Sequence, residues 1–352
     1  MLPEIHIEKI SQSKLPNADF SNLVFGKMFT DYMFVADYVD GEWISADIMP
    51  YQALPYFPSS KVFHYGQAVF EGMKAYKDKQ NNVFLFRPEE NYKRINNSAI
   101  RMGMAEIPEK LFMEGLLNLL KLDQNWIPTK EGQSLYLRPV YIATENAVAA
   151  SPSTSFRLMI MASPADKYYS GEVKVKVEDK YSRSCDGGVG AAKAAGNYGG
   201  QFYPTLQAQK EGFKQVIWTD SRDHKYLEEA GTMNVFFRVG DTLLTAPTNS
   251  RILSGITRKS IIQLAKDNNI KVEVRPVEVS EIIEGAKNGE LKEIFGAGTA
   301  ATILHITGIQ YKDFYTDLPV PNDSLAEKLK DMLWDIQYNR VEDPYGWRVP
   351  LK

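Results

Sequence analysis

One lysine lies in a stretch of the chain built from glycine, alanine and little else. Residues 187–200 read GGVGAAKAAGNYGG, with Lys193 in the middle and Tyr198 five residues later. Small apolar neighbours remove water from a lysine side chain, and desolvation favours the neutral amine when no carboxylate partner is present. A neutral amine can bond to the carbonyl carbon of an aldehyde. The segment is therefore a candidate for covalent chemistry, although a solvated lysine in a flexible surface loop also fits these residues.

Two nucleotide-binding motifs do not fit the same segment. A P-loop requires serine or threonine directly after its lysine, and Ala194 stands there. The dinucleotide-binding fingerprint requires a third glycine where this chain has Lys193, and no apolar strand ends directly before the loop. The chemistry expected of the lysine is therefore that of an amine nucleophile.

Other segments carry the groups that a phosphate-bearing aldehyde such as pyridoxal phosphate needs. The sequences SGIT at 254–257 and GAGTA at 296–300 offer backbone N–H groups at a helix start and a glycine-rich turn. Arg94 offers a guanidinium for the phosphate. Glu229 is our candidate for the carboxylate that keeps a pyridine nitrogen protonated, whereas Glu228 is expected to face solvent. Each feature also has an ordinary interpretation as a capped turn or a solvated charge.

Composition limits the partners and the compartment. The 352 residues suffice for about two domains, and the 44% hydrophobic and 24% charged fractions are typical of a soluble globular protein. A net charge of -3 gives no reason to expect nucleic acid or an acidic membrane as partner. Cys185 is the only cysteine and the four histidines are far apart, so we expect a cytoplasmic protein without a disulfide or a metal site. No apolar run is long enough to span a membrane.

The hydrophobic pattern predicts two α/β domains, at 1–165 and 172–352, joined by a polar linker at 166–171. In the first domain we expect strands at 32–39, 83–86, 135–144 and 156–162 and helices at 88–102 and 108–122. In the second we expect strands at 173–178, 213–220, 243–246, 272–277 and 291–298 and helices near 204–211 and 254–269.

Seven segments together resemble one enzyme family. They are FHYGQAVFEGMKAY, LFRPEENYKR, LYLRPVYIATE, GGVGAAKAAGNYGG, EEAGTMNVFF, LSGITRKSI and FGAGTAA. Their order and spacing are similar to those of the branched-chain amino acid aminotransferases, which are fold-type IV pyridoxal-phosphate enzymes. The resemblance covers residues 25–305. It implies a two-domain α/β fold like that of D-amino acid aminotransferase, with a smaller N-terminal domain and a larger C-terminal domain that carries the lysine.

The resemblance also implies roles for individual residues. Lys193 would be the Schiff-base lysine, Glu229 the partner of the pyridine nitrogen and Tyr198 the hydrogen-bond partner of the ring's phenolic oxygen. The phosphate would be held by Arg94, Ile256, Thr257 and Thr299. Positions of the substrate pocket are matched by Phe29, Tyr65, Phe70, Tyr136, Arg138 and Tyr168, with Thr232 and Ala300 near the substrate carboxylate.

The activity implied by the resemblance is ping-pong transfer of an amino group between L-leucine, L-isoleucine or L-valine and 2-oxoglutarate. It implies a role in branched-chain amino acid biosynthesis, and a homodimer, since the family's Tyr136–Arg138 segment lies at a dimer-dependent part of the site. A D-amino acid aminotransferase or an aminodeoxychorismate lyase would keep Lys193 and Glu229, and a non-catalytic module would only bind the cofactor. Ala301 and Leu304 replace the CxxC cysteines of mammalian relatives, so thiol regulation there is not expected.

Overall fold

The computed structural model describes residues 2–166 and 171–352, in which strands and helices alternate. The strands are β1 (His6–Ile7), β2 (Tyr32–Val39), β3 (Glu42–Pro50), β4 (Ala68–Phe70), β5 (Met73–Lys77), β6 (Val83–Phe86), β7 (Ser134–Ala143), β8 (Ser155–Ala165), β9 (Lys174–Val177), β10 (Gln215–Thr219), β11 (Tyr226–Ala230), β12 (Asn234–Val239), β13 (Thr242–Thr245), β14 (Lys271–Val274), β15 (Val277–Glu278), β16 (Leu291–Gly298), β17 (Thr302–Ile306), β18 (Gly308–Tyr311), β19 (Phe314–Asp317) and β20 (Arg348–Pro350). The helices are α1 (Lys61–Tyr65), α2 (Pro88–Arg101), α3 (Glu109–Asp123), α4 (Ala195–Gly199), α5 (Phe202–Lys210), α6 (Ile256–Asp267), α7 (Val279–Asn288) and α8 (Leu325–Gln337), with short 3₁₀ helices at Leu15–Asn17 and Gln124–Trp126.

The chain forms two compact units, each built from more than one segment of the sequence. Unit 1 comprises Met1–Tyr168, Ala192–Gly196 and Ile336–Lys352, and unit 2 comprises Tyr169–Ala191 and Asn197–Asp335. Lys193 therefore packs with unit 1. The predicted linker 166–171 lies mostly outside the described residues, and the predicted domain boundaries stay a prediction.

Unit 1 is built on a largely antiparallel sheet with the strand order β1-β3-β2-β8-β7-β5-β6-β20, and β4 pairs with β7. Helix α3 covers one face of this sheet because its apolar side chains recur at helical spacing, and Leu116, Leu119 and Leu120 are fully buried. A Cβ at Gly115 would lie 2.6 Å from Cζ of Phe34, so only glycine lets the helix approach the sheet this closely. The face is thus fixed by packing.

Unit 2 is built on a mixed sheet with the strand order β14-β13-β12-β11-β10-β9-β18-β19, and β16 pairs with β12 and β17. Its core consists of apolar side chains such as Val175, Ile217 and Ile294, which are all fully buried. In the register of β11, β12 and β16, Glu229 pairs with Asn234 and Asn234 with Ala297. The sheet thereby aligns the ends of β11 and β12 with β16, which lies more than 50 residues later in the chain.

Most predicted elements of both units are confirmed. The strands at 32–39 and 83–86 have the predicted bounds, and α2 and α3 differ from the predicted bounds by one residue. The patterns at 279–288 and 325–337 were not recognised as helices, although their apolar residues have helical spacing. Among the described residues, no helix is both long and apolar enough to cross a membrane.

A buried carboxylate ties α3 to the start of β2, directly after the predicted pocket residue Phe29. Oδ2 of Asp123 accepts a hydrogen bond of 3.3 Å from the backbone N–H of Tyr32, whereas its Oδ1 is buried without a hydrogen bond. Burial raises the pKa of Asp123 to about 7, against the hydrogen bonds from Thr30 and Tyr32 that lower it. The folded protein therefore binds a proton here at pH values where the unfolded chain has lost it.

This difference predicts a pH-dependent stability. Because the folded state holds the extra proton between about pH 4 and pH 7, the contribution of Asp123 to the free energy of unfolding is largest below pH 4 and falls as pH rises to 7. The full fall is at most about 4 kcal/mol. Asp123→Asn should remove it, so urea unfolding at pH 5 and pH 8 should show a smaller difference in the variant than in wild type. An equal difference in both proteins would contradict the assignment to Asp123.

Candidate active site

The backbone of Lys193 is held from two sides within unit 1. Its N–H donates a hydrogen bond of 2.9 Å to Oγ of Ser98 on α2, and its C=O accepts one of 3.1 Å from the N–H of Phe70 at the end of β4. The flanking Ala192 and Ala194 are buried, and Ala194 pairs with Val69. The lysine thus lies on a fixed backbone, which excludes the interpretation as a flexible surface loop.

The amine of Lys193 lies over one aromatic ring. Its Nζ lies 4.7 Å from the centroid of the Phe70 ring. The expectation that no carboxylate accompanies this lysine is wrong, because the fully buried Glu71 lies close enough for the two charges to attract. The amine therefore lies beside an aromatic wall and near a buried carboxylate.

Arg94 is paired with that carboxylate. The guanidinium donates from Nε to Oε1 of Glu71 at 2.6 Å and from Nη2 to Oε2 at 2.8 Å. Asn91, one helical turn earlier on α2, donates to Oε2 at 2.6 Å. Burial alone would raise the pKa of Glu71, but the guanidinium of Arg94, with Lys193 and Asn91 adding to it, holds that pKa below its ordinary value. Arg94 is therefore a largely buried ion-pair partner and not a solvated charge on the surface of α2.

A second arginine of unit 1 lies over two predicted pocket residues. Arg138 donates to the hydroxyl of Tyr136 from Nη2 at 2.8 Å and from Nε at 3.2 Å. The carbon of its guanidinium is 4.9 Å from the centroid of the Phe70 ring. A Cβ at Gly72 would lie 2.2 Å from the Tyr136 hydroxyl, so glycine is required where this hydroxyl meets the backbone. Unit 1 thus brings Phe70, Tyr136, Arg138 and Lys193 together.

The remaining predicted pocket residues of unit 1 lie elsewhere on it. Phe29 stacks on Tyr51 with ring centroids 4.6 Å apart. Tyr65 is 45% exposed at the end of α1, and its hydroxyl donates to the C=O of Val148. Tyr168 lies outside the described residues.

Glu229 ends a strand of unit 2 in a buried, hydrogen-bonded position. It is 4% exposed, and its Oε1 lies 2.8 Å from Nη1 of Arg183 and accepts a hydrogen bond of 3.2 Å from the N–H of Leu253. Nδ2 of Asn234 donates to Oε2 at 3.4 Å. Ion pairing and hydrogen bonds to a buried carboxylate favour its charged form. Such a carboxylate can stabilise a protonated ring nitrogen.

The expectation that the neighbouring Glu228 faces solvent is wrong. Glu228 is 3% exposed and accepts a hydrogen bond of 2.5 Å from Nε of Arg251, which also pairs with Asp186. Burial raises the pKa of Glu228, and Arg251 offsets part of that effect. Both adjacent carboxylates are therefore buried ion-pair partners, Glu228 of Arg251 and Glu229 of Arg183.

The predicted phosphate ligands of unit 2 lie at the ends of α6 and β16. Helix α6 begins at Ile256, with Thr257 in its first turn and Gly255 extended before it. A Cβ at Gly255 would lie 2.0 Å from Oδ1 of Asn234, whose Nδ2 also donates to the C=O of Leu253 at 3.0 Å. The first N–H groups of a helix bind anions. Asn234 thus connects the Glu229 carboxylate to the start of α6.

The other predicted residues of unit 2 lie around two turns. Thr299 and Ala300 form the turn between β16 and β17, and Thr232 lies in the exposed bend between β11 and β12. The C=O of Thr232 would be 3.2 Å from a Cβ at Gly298, so the two turns are adjacent. Tyr198 lies on α4 and is half-buried.

Three polar residues of these clusters were missed as site residues. Glu71 lies in the family-like segment FHYGQAVFEGMKAY, and a charged residue inside the apolar run AVFEGM is the sequence feature that distinguishes it. Asn234 belongs to the family-like segment but received no role. Arg183 gave no signal, yet its Nη1 donates to the C=O groups of Gly190 and Arg251 as well as pairing with Glu229. Arg183 therefore ties the glycine-rich loop to the carboxylate.

Comparison with known proteins agrees with this chemistry. The family model of amino-transferase class IV matches residues 68–309. A probable branched-chain-amino-acid aminotransferase of Staphylococcus epidermidis is 43% identical, covering 100% of this chain and 99% of the relative. Branched-chain-amino-acid aminotransferase 2 of Bacillus subtilis is 41% identical, covering 97% of this chain and 96% of the relative.

The chain belongs to the branched-chain-amino-acid aminotransferases of class IV. The predicted family and transaminase activity are thereby confirmed, rather than the D-amino acid aminotransferase, lyase or purely binding alternatives. A crystal structure of the Escherichia coli branched-chain amino acid aminotransferase covers 92% of this chain with a TM-score of 0.76 at 23% identity. The Thermobaculum terrenum enzyme, solved in its PLP-form, has a TM-score of 0.73 at 20% identity. These two structures confirm the predicted fold-type IV architecture for this aminotransferase.

Proposed function

We propose that this aminotransferase uses pyridoxal phosphate to transfer the amino group between L-leucine, L-isoleucine or L-valine and 2-oxoglutarate. The observation that carries the proposal is the fixed position of Lys193. Its backbone N–H and C=O are hydrogen-bonded to other segments, and its Nζ lies over the Phe70 ring. This arrangement presents one amine in a fixed direction. The full-length similarity to branched-chain-amino-acid aminotransferases supports the choice of substrates.

The residues present fit this cofactor. Lys193 offers the amine for its aldehyde, and Glu229 is a buried, ion-paired carboxylate suited to its ring nitrogen. The start of α6 at Ile256 and Thr257, where only glycine fits at 255, suits an anion such as phosphate. Arg94 adds a guanidinium, and we assign the Thr299 turn to the phosphate and the Tyr198 hydroxyl to the phenolic oxygen.

When bound, pyridoxal phosphate supplies an electron sink for the carbanion formed at the substrate's α-carbon. The chain supplies the proton transfers. Nζ of Lys193 would accept the α-proton of the substrate and donate a proton later in the reaction, so a single group would serve first as base and then as acid. The carboxylate of Glu229 would keep a proton on the ring nitrogen. The two half-reactions use the same groups, and ping-pong kinetics are therefore expected.

The substrate pocket must accept two chemically different side chains. We assign the apolar side chains of the branched amino acids to a wall formed by Phe70 and Tyr136, with Phe29, Tyr65 and Tyr168 as further pocket residues. We assign the distal carboxylate of glutamate to Arg138, because burial of a carboxylate requires a charged hydrogen-bond partner. The turns at Thr232 and Ala300 would bind the α-carboxylate.

Absorbance spectra of the purified protein, with and without L-leucine, test this proposal. A yellow protein whose visible band is lost on addition of L-leucine and restored by 2-oxoglutarate is expected. D-alanine and L-aspartate should cause little change. A colourless protein that takes up no pyridoxal phosphate, or a response to D-alanine as strong as that to L-leucine, would contradict it.

Replacing Arg138 tests the assignment of the distal carboxylate. Arg138→Met keeps a long apolar side chain over Phe70 but removes the charge, so the 2-oxoglutarate half-reaction should lose more efficiency than the leucine half-reaction. A hydrogen bond to a charged group contributes about 1.5 to 3 kcal/mol, which corresponds to roughly tenfold to a hundredfold in kcat/KM. Single-turnover kinetics of each half-reaction measure the two losses.

Arg157→Met is the matched control, since Arg157 lies on β8 of the same sheet and its guanidinium carbon is 5.4 Å from the centroid of the Tyr56 ring. Its two half-reactions should change equally, if at all. Equal losses in both half-reactions of Arg138→Met would instead assign Arg138 a structural role, for example at a subunit interface.

We further propose that the enzyme is a cytoplasmic homodimer. The proposal is supported by the exposed apolar side chains on and near α1, since Phe57, Phe63 and Val148 are 65%, 62% and 64% exposed. Clustered exposed apolar residues of this size commonly mark an interface. A single cysteine suits a reducing compartment. Sedimentation equilibrium that gives a single-chain mass at micromolar concentration would contradict the dimer.

A further inference from the structure

We propose that Glu71 is a positioning residue, which fixes the guanidinium of Arg94 toward the phosphate group of the cofactor. The inference rests on the proposed function, since it concerns the same cofactor. It assigns a task to a buried carboxylate that takes no part in the proton transfers.

The Glu71 carboxylate cannot rotate without losing hydrogen bonds. Its Oε1 accepts from Nε of Arg94 at 2.6 Å, and its Oε2 accepts from Nη2 of Arg94 at 2.8 Å, from Nδ2 of Asn91 at 2.6 Å and from the N–H of Gly72 at 3.0 Å. The backbone of Glu71 is also anchored, because its N–H donates to the C=O of Pro139 at 2.8 Å. The carboxylate is therefore oriented by α2 and by the neighbouring Gly72, and its backbone is held by β7.

The bidentate pair determines the direction of the whole guanidinium. A guanidinium is planar and has five N–H donors in fixed directions, so two bonds to one carboxylate also fix where the other three point. Glu71 is fully buried and Arg94 has an 11% exposed side chain, so solvent does not compete strongly for this pair. A flexible surface arginine would have to lose rotamer freedom when it binds phosphate, whereas this one has already lost it.

Helix α2 also contacts the reactive lysine, through a residue one turn after Arg94. Ser98, one turn after Arg94, donates from Oγ to the C=O of Arg94 at 2.8 Å and accepts the N–H of Lys193 at 2.9 Å. On the other side, Phe70, the residue before Glu71, donates its N–H to the C=O of Lys193. Glu71, Arg94 and Lys193 thus belong to one hydrogen-bonded frame, which relates the phosphate ligand to the amine.

A simpler alternative is that Glu71 only neutralises a buried charge. The two possibilities predict opposite effects of Glu71→Gln. If neutralisation were the only role, removal of a negative charge near the phosphate would strengthen phosphate binding. If Glu71 positions Arg94, the amide can accept through only one oxygen and presents N–H donors to the guanidinium, so Arg94 must turn and phosphate binding weakens.

Cofactor binding separates these outcomes without measuring turnover. The full-length chain, stripped of cofactor, is titrated with pyridoxal phosphate and with pyridoxal, which has the same aldehyde but no phosphate. The preference is the ratio of the two dissociation constants. Glu71→Gln should lower this preference about tenfold or more, mainly through weaker binding of pyridoxal phosphate. Glu71→Asp, which keeps the charge but is one methylene shorter, should lower it as well.

Glu293→Gln is a matched control for loss of a buried carboxylate. Glu293 is 2% exposed, lies on β16 of unit 2 and accepts from Ser324 and Arg238. It should lower the melting temperature while leaving the preference unchanged. If Glu71→Gln does not fold, Asn91→Ala provides the test. It removes the 2.6 Å hydrogen bond to Oε2 of Glu71 and the 3.2 Å hydrogen bond to the C=O of Gly72 but leaves both carboxylate oxygens to Arg94, and it should lower the preference about fivefold.

A raised or unchanged preference in the folded Glu71 variants, or an unchanged preference in Asn91→Ala, would overturn the positioning role. The proposed function fails in a different way. In that case the wild-type chain itself would show no preference for pyridoxal phosphate over pyridoxal, or would bind neither compound.

Discussion

Lys193→Ala is expected to abolish transamination while the protein still binds pyridoxal phosphate. The substitution removes the amine whose backbone is hydrogen-bonded to Phe70 of β4 and Ser98 of α2, and with it both the covalent bond to the cofactor and the group that moves the α-proton. General acid–base catalysis alone contributes about a hundredfold to ten-thousandfold, so turnover should fall by at least that factor. Phosphate contacts are left in place, and cofactor should remain bound in a form that borohydride does not fix to the protein.

Borohydride treatment of the wild-type protein followed by peptide mapping checks the identity of the lysine. The label is expected on Lys193 alone. Lys74 is the informative competitor, because it is also buried in unit 1 and burial lowers its pKa to about 8. Lysines with a lowered pKa are the ones most prone to react with aldehydes. A label on Lys74, or activity retained in Lys193→Ala, would show that the wrong lysine has been assigned.

Local sequence signals predicted the strands and helices because these depend on periodicity. The alternation in KVKV and the helical spacing of Leu116, Leu119 and Leu120 reflect burial on one face, and the structure places those side chains accordingly. The helix at 325–337 was not predicted, although its apolar residues have helical spacing. Charged residues stand between those apolar residues, and the sequence does not show which surface the helix covers.

The assignments of Lys193 and Glu229 came from sequence, whereas their partners did not. Glu71 is 122 residues before Lys193, and Arg183 is 46 residues before Glu229. A charge partner at such a distance is defined by strand pairing and helix packing, which no local pattern encodes. The same limit explains the error at Glu228, because the two adjacent carboxylates are buried with arginine partners from separate segments, Arg251 for Glu228 and Arg183 for Glu229.

For the expected phosphate ligands, the sequence predicts the start of the helix but not the contact that requires glycine before it. SGIT predicted a helix start, and α6 begins at Ile256 as expected. The reason for Gly255 became apparent only in the structure, where the amide of Asn234 occupies the space that a Cβ would need. The sequence signal was therefore the presence of glycine, and the physical cause was a contact between two segments 21 residues apart.

Glu229→Gln is expected to slow the leucine half-reaction by two or more orders of magnitude, with little change in leucine binding. Glutamine keeps the shape of the side chain but removes the charge that keeps a proton on the ring nitrogen, and without that proton the electron sink is weaker. Each tenfold loss corresponds to about 1.4 kcal/mol of barrier. Stopped-flow absorbance after addition of L-leucine measures the rate, and its concentration dependence measures binding.

Stability must be separated from chemistry in this variant, because the substitution also breaks the buried pair with Arg183. Removal of one partner of a buried ion pair costs about 3 to 5 kcal/mol of folding free energy. Glu228→Gln is matched in this respect, since Glu228 is the adjacent residue, is equally buried and pairs with Arg251. Both variants should therefore melt at lower temperature, but only Glu229→Gln should lose the fast half-reaction. A fast Glu229→Gln beside a slow Glu228→Gln would assign the ring nitrogen to the other carboxylate, because stability alone would affect both variants alike.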